Sequence, residues 1–202
     1  MKILKMKPIS IICVFLLLNI PAVISCDRLH RKWNARPLTV GDKVDSLNGV
    51  FVYYNNEVGN VLGRNTTADG YNLGLKYQCV EFVKRYYLEH LNHKMPDNYG
   101  HAKDFFEKNI ADGEMSKRRN LIQYTNPSSS KPKVGDLLVF DGTVFNKYGH
   151  VAIISKVTDS KIEIIQQNPG PNGPSRETFK LKHIKEKWKI VSDKALGWLR
   201  KE

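Results

Sequence analysis

Four residues of this 202-residue chain have the types and order to do covalent chemistry: Cys79, His150, Gln166 and Asn168. A cysteine nucleophile attacks a carbonyl carbon as its thiolate. It needs a base to take up and return a proton, and the base needs a partner that holds its tautomer. His150 follows Gly149 at the head of an apolar run, where an imidazole faces either a core or a cleft. Gln166 and Asn168 end the next alternating run. Two adjacent antiparallel strands can set those amides against the imidazole. Taken singly, each residue has an ordinary alternative: a small buried cysteine, or a structural histidine with its bonds satisfied.

The elements that must carry these residues follow from periodicity. Cys79, Phe82, Val83, Tyr86 and Tyr87 fall at i, i+3, i+4, i+7 and i+8, which predicts a helix beginning at the cysteine. Glu81, Arg85 and Glu89 fall on another face, and Glu81 to Arg85 is a favourable i,i+4 pair. A thiol in the first turn meets unpaired amides and the positive end of the macrodipole, which predicts a lowered pKa. A second helix is expected over Ala102–Lys108, with Phe105 and Phe106 turned to the core. Strands are expected at 49–54, 135–140, 149–155, 161–168, 189–191 and 195–199. Loops are expected at 55–71, 127–133 and 169–174. Helices toward the N-terminal half and packed antiparallel strands make an α+β domain. His90, His93, His101 and His183 sit in polar settings that suggest solvent.

Composition sets the surroundings. A hydrophobic fraction of 41% and an aromatic fraction of 10% suffice for one core. The formal net charge is +12, which suits a polyanionic partner such as cell wall, anionic lipid or nucleic acid. No aromatic-plus-basic nucleic-acid motif appears, so wall and lipid lead. Lys2, Lys5 and Lys7 precede an apolar run from Ile9 to Leu18 that Pro21 breaks, the pattern of a secretory signal peptide over residues 1–25. Val23-Ile24-Ser25-Cys26 resembles the lipobox of bacterial lipoproteins and makes Cys26 a candidate for lipidation, hence a membrane anchor. An ordinary secretory cleavage at the same place, with Cys26 free or bridged to Cys79, stays open. Residues 26–45 are basic and polar and read as a tether; 46–202 read as the domain. With Cys26 lipidated, Cys79 is the one thiol of the mature chain, which flags a reactive role. The cysteines and histidines have no zinc-type spacing. Neither a metal nor another cofactor is expected.

Tyr77-Gln-Cys-Val-Glu-Phe82, Gly135-Asp-Leu137, Gly149-His-Val-Ala-Ile153 and Gln167-Asn168 together resemble the CHAP domain, a cysteine- and histidine-dependent amidohydrolase/peptidase. Within that family the likeness runs to the amidase domain of bifunctional glutathionylspermidine synthetase/amidase, from about Gly49 through Trp198. The resemblance implies a papain-like CHAP fold, with N-terminal helices packed on an antiparallel sheet. It implies cleavage of amide bonds, most often in peptidoglycan. By position Cys79 is then the nucleophile and His150 the base and later the acid. Gln166 stands where the family usually has a glutamate; its oxygen can accept from the imidazole Nδ1–H, and Asn168 is the alternative for that role. The Cys79 N–H, with the amide of Gln78, would form the oxyanion hole. Three functions follow: an exported amidase or endopeptidase acting on peptidoglycan, an amidase for a glutathionylspermidine-like conjugate, and a non-catalytic envelope-binding lipoprotein.

Overall fold

The computed structural model of the protein describes residues 36–170 and 173–202. The expected signal peptide, its lipobox and Cys26 lie outside the described residues. A compact unit runs from Leu38 to Glu202. Its elements in chain order are β1 (Lys43–Leu47), β2 (Val50–Tyr53), β3 (Arg64–Thr66), β4 (Asn72–Leu75), α1 (Cys79–Glu89), a 3-10 turn (Ala102–Phe105), β5 (Glu114–Ser116) and β6 (Leu121–Thr125). Then come β7 (Leu137–Phe140), β8 (His150–Val157), β9 (Lys161–Ile165), β10 (Arg176–Ile184), β11 (Lys187–Ile190) and β12 (Ala195–Arg200). Eight strands form one antiparallel sheet in the order β11-β10-β9-β8-β7-β12-β6-β5. β1–β2 and β3–β4 are separate hairpins.

Each face of the sheet buries an apolar layer, because side chains alternate along every strand. Leu137, Val139, Val151, Ile153, Ile165 and Leu199 pack against Phe82, Val83, Tyr86 and Tyr87 of α1. The other face carries Leu138, Ala152, Ile154, Ile162, Ile164, Leu181, Ile190 and Trp198. The sheet covers this second layer by curling on itself. The Asn126 side chain bonds both the N–H and the carbonyl of Ile190, and Ser128 bridges to Trp188, so the segment after β6 meets β11.

The architecture is α+β, but the expected N-terminal helices reduce to one among the described residues. The stretch expected to be helical over Ala102–Lys108 makes a single 3-10 turn, and Phe106 turns extended at φ −100°, ψ 125°. One turn fixes many dihedrals for few hydrogen bonds and does not propagate by itself. Phe105 is buried as expected.

α1 differs from an ordinary surface helix. Glu81, Lys84 and Arg85 are buried along with its apolar residues. β2 and β4 cover the side turned away from the sheet. The Arg85 guanidinium donates to Phe51 O at 2.9 Å, and Lys84 donates to the carbonyls of Asn72 and Asn98. At Gly74 of β4 an added Cβ would come within 3.3 Å of the Glu81 N–H nitrogen, so the hairpin lies directly on the helix start. β1 begins inside the stretch read as tether, and its Asp45 takes two bonds from Arg176, at 2.9 and 3.1 Å. His93, expected in solvent, is buried: its Nε2 bonds Arg119 O at 2.9 Å, and its ring meets Tyr87 edge-on. His90, His101 and His183 are exposed. No helix of the described residues is long and apolar enough to cross a membrane.

Candidate active site

Cys79 opens α1, and the backbone just before it is unusual. Tyr77 has φ +63°, a left-handed conformation that costs a non-glycine residue of order 1 kcal/mol or more. This turn swings the chain from β4 into the helix. Gln78 caps it: Gln78 O accepts the first intrahelical bond, from Phe82 N–H at 3.2 Å. Cys79 therefore keeps its own N–H outside the helical ladder. The thiol is half-buried, and the backbone N–H groups of Val151, Val80 and Cys79 itself favour its ionised form. Val151 follows His150, so the sulfur lies against the start of β8. Position at a helix start predicted a lowered thiol pKa. In the structure burial outweighs those amides and pushes the thiol up.

His150 is the first residue of β8, held in register opposite Phe140 of β7. Gly149 before it has φ +75°, and a Cβ there would lie 2.5 Å from Phe140 O and 2.8 Å from the Lys103 Cβ. Only glycine lets the loop enter the strand at this point. His150 Nε2 lies 2.9 Å from Gln166 Oε1. The amide's orientation follows from its other end, where Gln166 Nε2 donates to Pro174 O at 3.1 Å. A carbonyl can only accept, so Oε1 must face the imidazole, and the imidazole must donate from Nε2. This corrects the expected nitrogen: the orienting bond falls on Nε2 and leaves Nδ1 as the basic one. Burial holds the imidazole at a pKa of about 4, with the Gln166 bond pulling the other way.

The end of β9 fixes the two halves of this arrangement relative to one another. Gln166 holds His150. Gln167, fully buried, donates to Gln78 O at 3.0 Å and to Glu81 Oε2 at 2.9 Å, and accepts from Tyr53 N–H at 2.8 Å. Asn168 donates to Gln78 Oε1 at 2.8 Å and to Val58 O at 3.2 Å. Three successive residues thus grip the histidine, the cysteine's helix and the helix cap. Asn168 is engaged with the cap and not with His150. Gln78 is equally committed: its backbone N–H donates to Leu75 O, and its side chain donates to Val58 O at 3.0 Å and Asn60 O at 2.9 Å. Those bonds consume the donors expected to complete an oxyanion hole, leaving the Cys79 N–H from the expected pair. A cavity of about 50 Å³ adjoins the network, lined by Tyr53, Asn55, Gln166, Asn168 and Ser175 among others. Among the described residues no group of three His, Cys, Asp or Glu side chains is placed to hold a metal ion.

A family model for the CHAP domain matches residues 68–168, half of the chain. The chain belongs to the CHAP family. Over 134 residues it is 31% identical to trypanothione synthetase of Crithidia fasciculata, covering 65% of this chain and 21% of that protein. Over 107 residues it is 33% identical to the bifunctional glutathionylspermidine synthetase/amidase of Escherichia coli (strain K12), covering 50% of this chain and 17% of that protein. The chain thus spans about a fifth of the length of these relatives. Among solved structures, Ly7917 with the hydrolyzing product of MDP aligns at a TM-score of 0.39 and 18% identity, over 62% of this chain and 54% of that one.

Two residues that grip this CHAP site were given no role at it from the sequence: Gln167 and Glu81. Each sits beside a candidate and is buried, at 0% and 2% exposure. The available signal was a run of three side-chain amides, Gln166-Gln167-Asn168, at the end of an otherwise apolar strand. Buried amides must find partners, so such a run marks a bonded junction.

The neutral partner of His150 carries a prediction. An imidazole with a pKa of about 4 stays basic at every pH above that value. Gln166→Glu adds a carboxylate that favours the imidazolium, so the imidazole pKa should rise and the thiol pKa should fall. Iodoacetamide labelling of Cys79 against pH should then shift to lower pH in Gln166→Glu. Superimposable profiles for the two proteins would show that residue 166 does not act on the pair.

Proposed function

We propose that this CHAP chain is a cysteine-dependent amidase or endopeptidase that cleaves an amide bond in peptidoglycan. The supporting observation is the Gln166–Gln167–Asn168 run, bonded at once to His150, to the helix of Cys79 and to its cap. Family membership and the basic charge of the chain agree with it.

The geometry suggests general-base attack rather than a resting ion pair. Burial opposes charge on both groups, so the ground state is thiol and neutral imidazole. As the sulfur bonds to the carbonyl carbon, its proton passes to His150 Nδ1. Charge develops on the carbonyl oxygen, and the Cys79 N–H at the helix start is placed to meet it. The imidazolium then donates its Nδ1 proton to the leaving amine as the C–N bond breaks, leaving an acyl thioester. Water, deprotonated by His150, attacks the thioester; its collapse frees the acid and returns the thiol. Gln166 holds Nε2–H throughout, so the same nitrogen both accepts and donates.

The test is mass spectrometry of purified sacculi after digestion by the full chain. New amino termini or released stem peptides are expected, and they identify the bond. A second reading, hydrolysis of a glutathionylspermidine-like conjugate, is favoured by the synthetase/amidase relatives. Cleavage of that conjugate, with sacculi of several cross-link types left intact, would replace the first reading by the second.

Export with lipidation at Cys26 belongs to the same proposal, on the strength of residues 1–26. Labelled palmitate should enter the protein in a bacterial host, and Cys26→Ser should abolish both labelling and partition into detergent. An unlabelled, soluble wild type would instead indicate ordinary secretion.

A further inference from the structure

We infer that the outer face of β9, β10 and β11 is a docking surface for an anionic lipid membrane. Residues directly opposite one another in antiparallel strands share a face, as do alternate residues along a strand. Lys180 of β10 lies opposite Lys161 of β9. Lys182 lies opposite Lys189 of β11, and Ile184 opposite Lys187. Lys161, Lys180, Lys182, Lys187 and Lys189 therefore project from one face, and all five are exposed. The opposite face of the same strands carries the buried Ile162, Leu181 and Ile190.

Two like-charged pairs directly across a ladder destabilise a sheet. Among the described residues none of these five lysines is in an ion pair. Glu186, in the β10–β11 turn, is the only acid between Lys180 and Ile190. Lysines on an edge strand guard it against pairing with other chains, which accounts for Lys187 and Lys189. That reason does not reach Lys161, Lys180 and Lys182, which lie on strands paired on both sides. A polycationic face that costs stability in the free protein points to an anionic partner.

The apolar residues on this face decide the kind of partner. Ile184 is 51% exposed and Val191, whose N–H continues the ladder to Lys180 O, is 39% exposed. Apolar side chains set among lysines match the boundary between headgroups and acyl chains. A purely ionic polymer offers them nothing. The placement also leaves the active site open. Gln166 follows the end of β9 opposite to Lys161, so the lysine face begins roughly 15 Å along the strands from the His150 partner.

The test is co-sedimentation of the full chain with vesicles of phosphatidylcholine containing about one-third phosphatidylglycerol, beside vesicles of phosphatidylcholine alone, at low ionic strength. The amino-terminal segment is common to all variants, so the readout is the ratio of anionic to neutral partition. The combined variant Lys180→Gln, Lys182→Gln, Lys189→Gln should lower that ratio about a hundredfold, from about fivefold per lysine. A control with Lys108→Gln, Lys117→Gln and Lys194→Gln has the same net charge and should keep most of it. Ile184→Ser should weaken binding to anionic vesicles further. Equal losses in the two triple variants would reduce the effect to net charge and overturn the assignment. So would a face variant that binds vesicles like wild type, including one that loses affinity for isolated sacculi alone.

Discussion

Replacing Cys79 by alanine is expected to lower kcat for amide hydrolysis by about a millionfold, the scale seen when a covalent nucleophile is removed. His150→Ala should fall equally far. The two residues act as one unit, so the double variant should be no worse than either single one. Gln166→Ala should be impaired yet measurable, because an orienting group fixes a tautomer while the other two make and break bonds. The measurement is product formation from sacculi by mass spectrometry, with circular dichroism to verify folding. Cys79 carries the smallest risk of a folding artefact, since it is half-buried at a helix end. Turnover in Cys79→Ala close to the wild-type rate would rule out the thioester route.

The largest effect on stability is expected at Glu81. Its carboxylate is 2% exposed and takes bonds from Arg85 Nε at 2.6 Å, Asn65 Nδ2 at 2.8 Å and Gln167 Nε2 at 2.9 Å. Glu81→Ala strands a buried guanidinium and two amide donors at once. Breaking one side of a buried pair costs about 3–5 kcal/mol. The cost comes from the charge left behind, so Glu81→Leu combined with Arg85→Met should be milder than Glu81→Ala alone. Urea unfolding reads both as shifts in midpoint at constant slope. An unchanged midpoint in Glu81→Ala would mean that the network contributes nothing. By contrast, breaking the Lys131–Asp159 pair, whose Asp159 is fully exposed, should leave the midpoint almost unchanged.

Much of this was legible in the chain. The i, i+3, i+4 spacing from Cys79 to Tyr87 located α1, and the apolar run after His150 located β8. Adjacency of β8 and β9, inferred from the alternating run after Lys161, places Gln166 on His150. The remainder needed tertiary information. Periodicity turns Glu81, Lys84 and Arg85 outward, because it cannot see the short hairpins that cover that side. β10 alternates Phe179 and Leu181 with lysines, yet no strand is expected there, because so much charge hides the alternation until its partners on both sides are known. The nitrogen that meets Gln166 depends on side-chain rotation, which spacing does not encode. The competition between burial and helix-start amides at Cys79 is likewise decided by packing.

β12 has a further consequence, in the order of folding. Formed by Ala195–Arg200, it lies between β6 and β7 and pairs with both. The two parts of the sheet therefore have no shared ladder until the most C-terminal strand is synthesised. Trp198 and Leu199, both fully buried, enter the two apolar layers at that same step. A nascent chain lacking this strand holds β6 and β7 with open edges, the state most prone to mispairing. Pairings so distant in sequence close slowly, so the sheet stays in two parts until β12 has been made and has docked between β6 and β7.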